Sequence, residues 1–213
     1  MKQLFSRLVM AGSVAVSLQG CASAPSGAGG AVTTTPAPAQ AAHPGPPMQP
    51  YTDADVEFIT GMIPHHTQAI LISSWAPSHE ANQSIRTLTE RIVVGQSDDL
   101  VLMKQWLGDR GKPIPETGGG HDHMMHMPGM LSAEQMAQLD AARGTEYDRL
   151  FLTFMIQHHQ GALQMVNKLF GSSGAANDDF IYKIASDIHA EQEIEIERMK
   201  SMLASLPSGE NRP

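Results

Sequence analysis

The sequence has little of several things, and each scarcity excludes something. Among 213 residues only Cys21 is a cysteine. One thiol makes no intrachain disulfide framework and no multi-thiolate zinc or iron–sulfur site. Aromatic residues are 5% of the chain, so much of the large apolar volume has to come from another residue type. Basic residues are also few: 14 Lys+Arg face 22 Asp+Glu, for a formal net charge of −8. A nucleic-acid binder normally carries a basic face, so that class of partner is set aside. The apolar run from Leu8 to Leu18 is too short to span a membrane. No segment sustains strand alternation, and no Ser/His/Asp arrangement or phosphate loop points to a hydrolase or nucleotide enzyme.

What the chain does have is enough hydrophobic residue for a core (41%), together with 10 His and 14 Met. Methionine supplies the volume that aromatics do not. At the N-terminus Lys2 and Arg7 precede the Leu8–Leu18 run, which reads as a signal peptide over residues 1–20. Leu18-Gln19-Gly20-Cys21 resembles the bacterial lipobox, which implies lipidation of Cys21 and a periplasmic or cell-envelope location. The membrane would then be met through that lipid only. Residues 21–50 carry no charge and are mostly Ala, Pro, Gly, Ser and Thr. Such a segment buries too little apolar area to fold and reads as a tether.

From residue 51 to 206 the pattern is helical. Thr52-Asp53-Ala54-Asp55 is a capping-box-like start. Val56, Ile59, Ile63, His66, Ile70 and Ser73 then step along one stripe. Pro77 and Ser78 are read as the end of that helix and the start of the next, whose stripe is Ile85, Thr89, Ile92, Gln96, Asp99, Met103 and Trp106. Residues 112–131 form a Gly-, His- and Met-rich loop without a helical stripe, of which Gly118 to Met130 are expected to be dispensable for folding. Ser132 with Gln135 caps a short helix. Two long helices follow, over about 145–170 and 178–203.

The two halves repeat. Phe58 to His66 matches Phe151 to His159, with Met62 falling on Met155 at an offset of 93. Gln96, Asp99 and Met103 match Gln192, Glu195 and Met199 at an offset of 96. Two such hairpins predict an all-α, four-helix bundle with approximate twofold symmetry. Met-x-x-His-His sets Met62, His65 and His66, and likewise Met155, His158 and His159, on neighbouring faces of one helix. A bundle core does not carry that many polar groups unless they satisfy one another or hold something. Imidazole suits copper, zinc, nickel and iron, whereas thioether selects Cu(I). Gln96, Asp99, Gln192 and Glu195 are candidates for orienting the histidines, with Met103 and Met199 one turn further on. Pro64 is expected to bend the first helix locally, and its counterpart is Gln157.

A second candidate lies in the loop. His121, His123, Met124, Met125, His126, Met127 and Met130 form a His/Met tract, a composition that reads as metal binding and favours copper or silver. His79 and His189 stand alone and read as structural.

At Met62–His66, Met155–His159 and the following Gln160-Gly161-Ala162, the chain resembles the bacterial domain-of-unknown-function family 305. The resemblance implies a ferritin-like helical bundle in an exported protein. Members of the CopM type are implicated in copper binding and resistance. The expected function is therefore an exported copper-binding protein acting in tolerance, sequestration or delivery. It would hold Cu(I) through Met and His and Cu(II) through His, with zinc or silver as alternative ions. Two other classes stay open. One is an oxidase-like bundle metalloenzyme, against which the Glu-x-x-His pairs of di-iron bundles are absent. The other is a metal-free interaction module. No catalytic residue is assigned, and a homo-oligomer or a copper-exchange partner both remain open.

Overall fold

A computed structural model describes residues 49–116 and 127–207. Cys21, the signal segment and most of the tether lie outside the described residues, as do His121, His123, Met124, Met125 and His126. Among the described residues there are five helices and no strand: α1 (Asp53–Ser74), α2 (Gln83–Asp109), α3 (Ala133–Ala141), α4 (Gly144–Phe170) and α5 (Asp179–Ser205). None is long and apolar enough to cross a membrane.

Each start has a local cause. The Thr52 side chain accepts from the Asp55 amide, and the Asp55 carboxylate accepts from the Thr52 amide at 2.7 Å, closing a capping box. Ser132 and Gln135 repeat the arrangement at α3. The second long helix begins later than the sequence suggests. Residues 75–80 form turns rather than a helix start, with Glu80 in the left-handed region at φ 57°. The cap is Asn82, whose side chain accepts from the Ile85 amide at 3.0 Å. Asp148 of α4 fixes Asn82 from across the fold, accepting from its amide and its side chain. Helix α1 continues through Pro64, which is buried.

Paired contacts give the directions. Tyr51 meets Trp106 and His66 meets Asp99, so α1 and α2 run antiparallel. His159 meets Glu195 and Arg149 meets Pro207, so α4 and α5 do the same. Between hairpins, Glu57 pairs with Lys168, His65 with His158, and Ile72 with Tyr147, so α1 and α4 cross antiparallel. Helix α3 packs on α4.

Two apolar clusters form. One contains Ile72, Ile85, Tyr147, Phe151, Met155 and Met199. The other contains Phe58, Ile59, Met62, Met103, Val166 and Ile188. Burying one large apolar side chain contributes about 2 kcal/mol, so these clusters supply the favourable side of folding. Along α1 and α4 the sequence steps from one cluster to the other through His65-His66 and His158-His159. A layer of imidazoles therefore separates two hydrophobic cores.

Candidate metal centre

All four histidines of the duplicated motif are fully buried. The His65 and His158 rings lie 3.9 Å apart, centroid to centroid, where α1 crosses α4. His66 Nε2 is 3.1 Å from Asp99 Oδ2, and His159 Nε2 is 2.7 Å from Glu195 Oε2. A carboxylate accepts, so Nε2 is the donor in both rings. His65 Nε2 is 3.1 Å from the Pro128 carbonyl and donates to it by the same reasoning. Nδ1 is then the lone-pair nitrogen of His65. Nδ1 of all four histidines is buried without a hydrogen-bond partner, as is Nε2 of His158. A carboxylate on one nitrogen with the other left bare is how ligating histidines are commonly oriented.

Electrostatics favour the same protonation state. Burial, reinforced by the His66 ring, pushes His65 down from 6.5 to about 3. His158 is lowered well below the usual range, by burial first and then by His65 and its other histidine neighbours. Both rings are neutral at physiological pH, the form that binds metal. A buried polar group without a partner costs about 1–3 kcal/mol against a total stability of roughly 5–15 kcal/mol. Five such nitrogens in one layer are more than packing alone would select.

Met62, Met103, Met155 and Met199 are all fully buried, the first two in one apolar cluster and the last two in the other. Thioethers thus flank the imidazole layer on both sides. Gln96 and Gln192 are also buried, and Gln96 has neither amide atom paired. Asp99 and Glu195 reach the surface instead, with side chains 19% and 18% exposed. They line a cavity of about 520 Å³ between α2 and α5, with Gln96, Gln192 and Glu191. Partial desolvation there, then the charges of Asp99 and Glu195, push the Glu191 carboxyl up. Among the described residues, no three His, Cys, Asp or Glu converge on one ion-sized point.

The loop reading needs correcting at its C-terminal end. Residues 127–131 form a strap across the α1–α4 crossing. Besides the His65 contact, Gln68 bonds both the amide and the carbonyl of Leu131, at 2.8 and 3.1 Å. Gln157 donates to the Gly129 carbonyl at 3.4 Å and accepts from Gln135 at 3.0 Å. Gln157 thus uses the position of Pro64 in the other half to hold the strap. Leu131 is buried in the core. A deletion running through Met130 would remove the Pro128 and Gly129 carbonyls that His65 and Gln157 bond, so this end is structural.

Two glycines make the strap possible. A methyl built on Gly161 would lie 2.0 Å from the Pro128 carbonyl oxygen, and Gly129 has φ 78°. Gly161→Ala would ordinarily gain up to about 1 kcal/mol of helix propensity. Here backbone has to move, and we expect a net loss of about 1–3 kcal/mol, as for overpacked cores. Urea unfolding measures it; a variant as stable as wild type would mean that the strap is not seated on α4.

Met165 was not among the sequence candidates. A methyl on Gly61 would lie 3.1 Å from Met165 Cε and 3.6 Å from Met127 Sδ, so both side chains lie beside Gly61. The signal available was spacing: Met165 lies two turns beyond His158 on α4. Met130, also in the strap, is partly buried. His79 is structural in its contacts. It hydrogen-bonds the Trp75 carbonyl and Asp140 and packs its ring against Tyr147. His189 lies 3.9 Å from Glu193 at the surface.

An all-helical fold with paired His-His motifs buried between two helical hairpins defines a recognisable class. The chain belongs to the family described as a domain of unknown function, DUF305, which matches residues 55–203. It is similar to the crystal structure of a DUF305 fragment from Deinococcus radiodurans, at 28% identity and a TM-score of 0.65, over 74% of this chain and all of that one. It is similar also to CopM. The Cu(II)-bound form matches at 28% identity and a TM-score of 0.58, over 70% of this chain and 95% of that one. The Cu(I)-bound form matches at 25% and 0.57, over 75% and 100%. A curated relative, the uncharacterized protein L153 of Acanthamoeba polyphaga mimivirus, is 32% identical over 56 residues. That match covers 26% of this chain and 37% of the relative's length.

Proposed function

We propose that this protein is an exported copper-binding protein that sequesters or delivers copper and so contributes to copper tolerance. The observation that carries the reading is the buried layer of His65, His66, His158 and His159, with every Nδ1 bare and thioethers on both sides. The donors fit the cargo: neutral imidazole and thioether suit Cu(I), and imidazole suits Cu(II). Met62, Met103, Met155 and Met199 would supply sulfur from within the helices. Met127, Met130 and the tract from His121 to His126 would supply further donors from the loop. Asp99 and Glu195 orient His66 and His159 from outside, and Gln96 and Gln192 lie beside them. The likeness to CopM, which was solved with Cu(I), Cu(II) and silver, supports copper and keeps silver as a competing ion.

In this reading the four long helices form a ferritin-like four-helix bundle that arose by duplication of a hairpin. Residues 1–20 are a signal peptide. Cys21 carries lipid, and residues 21–50 tether the domain within the cell envelope. A metal-free module has one observation in its favour: two of the four imidazoles are already paired with carboxylates.

One experiment separates the two. Replacing His65, His66, His158 and His159 together by Ala should leave a helical protein and lower copper affinity by orders of magnitude. Competition titration with a copper chelator reads the affinity, and circular dichroism reads the helix. A helical quadruple variant with wild-type affinity would reject the copper site and leave the imidazoles a packing role.

A further inference from the structure

Three sides of the helical domain are closed: α1 packs on α2, α4 on α5, and α1 on α4. The fourth side, between α2 and α5, is the open cavity. Exposed apolar side chains edge it from both helices, Val94 at 63% and Ile194 at 68%. Val101, 65% exposed, continues the track two turns further along α2. Scattered apolar residues on a surface are ordinary, but a second observation points to an occupant. Gly95, beside Val94, lines the same cavity from the middle of α2, where glycine weakens a helix. A methyl built there would meet nothing within 4 Å. Gly61 and Gly161 make room for neighbours within this chain; Gly95 makes room for none.

The charge around the groove says what the occupant must be. Glu90, Asp99, Glu191 and Glu195 line it against Arg91 alone. A second copy of this chain would bring the same acidic rim and be repelled. Outside the described residues the chain has only Lys2, Arg7 and Arg212 as cations, so no such segment supplies a basic cluster. The occupant therefore comes from another polypeptide and is basic. From Glu90 to Val101 the track runs about 16 Å along α2, the length of about three helical turns.

We propose that this groove seats an amphipathic helix of a partner protein, with apolar residues against Val94, Val101 and Ile194 and Lys or Arg on the acidic rim. Recognition of a helix in a groove uses apolar anchors at i, i+3 or i+4, and i+7, a spacing that three turns supply. Asp99 and Glu195 belong both to the rim and to the inner histidines, which each holds through one oxygen. A docked cation competes with His66 and His159 for these carboxylates, and a histidine that loses its orienting partner holds metal less tightly. Docking and metal retention are thus opposed, and by linkage each weakens the other by the same factor. The groove is the face at which a basic exchange partner takes metal from the imidazole layer. That coupling rests on the copper reading; the docking site itself does not.

The probe is a fluorescently labelled peptide of Leu and Lys patterned as an amphipathic helix, titrated with the full chain at low salt and read by anisotropy. A peptide of the same composition with the pattern scrambled is the control, because any cationic peptide is drawn to an acidic protein. The patterned peptide should bind at least about tenfold tighter than the scrambled one. Val94→Ser/Ile194→Ser, at exposed positions, should weaken it about tenfold. Gly95→Gln should be at least as stable as wild type in urea, since glutamine is the better helix former, and yet weaken the peptide by a similar factor. Equal binding of the two peptides, or wild-type affinity in Val94→Ser/Ile194→Ser, overturns the docking site. Sedimentation equilibrium covers the second copy: a wild-type dimer that the same double substitution makes monomeric also overturns it. Loading the protein with Cu(I) should weaken the patterned peptide about fivefold or more. An unchanged affinity on loading overturns the coupling. A wild type that binds the peptide but no copper refutes the copper reading and the coupling, and leaves the docking site standing.

Discussion

Lowering the pH of the metal-free protein from 7 to 5 should cost about 2 kcal/mol of stability through His65 alone. The folded ring is held down to about 3, chiefly by burial and then by the neighbouring His66 ring, whereas the unfolded ring titrates near 6.5. Above pH 6.5 neither state binds the proton and the ring contributes nothing to the pH dependence. Below it the unfolded chain takes up a proton that the folded chain cannot, and stability falls by about 1.4 kcal/mol per pH unit. The loss continues until pH approaches 3, where the folded ring protonates too. His158 is lowered for the same primary reason and adds a loss of the same sign over the acid range. Urea unfolding at pH 7, 6 and 5 measures the slope. In His65→Gln the slope should be shallower by about one proton. A wild type equally stable at pH 7 and 5, or a variant with the wild-type slope, would mean that the imidazole layer is open to water.

How much of this was legible beforehand differs from element to element. Helix α1 and helix α3 were readable from their capping boxes, Thr52 with Asp55 and Ser132 with Gln135, because those signals are local. The start of α2 was misread because its cap is not purely local. Asn82 is held by Asp148, which lies 66 residues away, and a turn containing a left-handed Glu80 intervenes. Helical periodicity put His66 and Met103, and by the repeat His159 and Met199, on apolar stripes; His65 and His158, one position off the stripe, and Met62 and Met155 are as fully buried. The ring-to-ring contact between His65 and His158 did not follow, because periodicity says which face is buried and not which residues meet across it. The strap was misjudged for a related reason. Its anchors are a proline carbonyl, a glycine and two glutamines on other helices, and none of these leaves a periodic mark. Asp99 and Glu195 were placed on core stripes, yet they reach solvent by spanning the distance from the stripe to the groove.

The largest single-residue effect on stability should come from Asp178→Ala, at about 3–5 kcal/mol. Asp178 does two things at once. One carboxylate oxygen caps α5, accepting from the Phe180 and Ile181 amides at 3.0 and 3.2 Å. The other accepts from Arg110 Nη2 at 2.5 Å. That guanidinium lies 4.2 Å from the Trp106 ring and 5.4 Å from the Tyr51 ring, and both partners are nearly buried, at 9% and 3%. Lost capping is worth about 1 kcal/mol. The larger part is the arginine left charged and buried without its partner, because breaking one side of such a pair costs about 3–5 kcal/mol. Exposed pairs such as Lys168–Glu57 and Lys183–Asp187 are expected to contribute under about 1 kcal/mol each. Asp178→Asn separates the two roles. Its amide oxygen can still cap α5 but offers Arg110 no charge, so most of the loss should remain. If Asp178→Asn is as stable as wild type while Asp178→Ala is not, capping dominates and the Arg110 pair contributes little. Chemical denaturation of both variants, with Glu57→Gln as the surface control, decides between these outcomes.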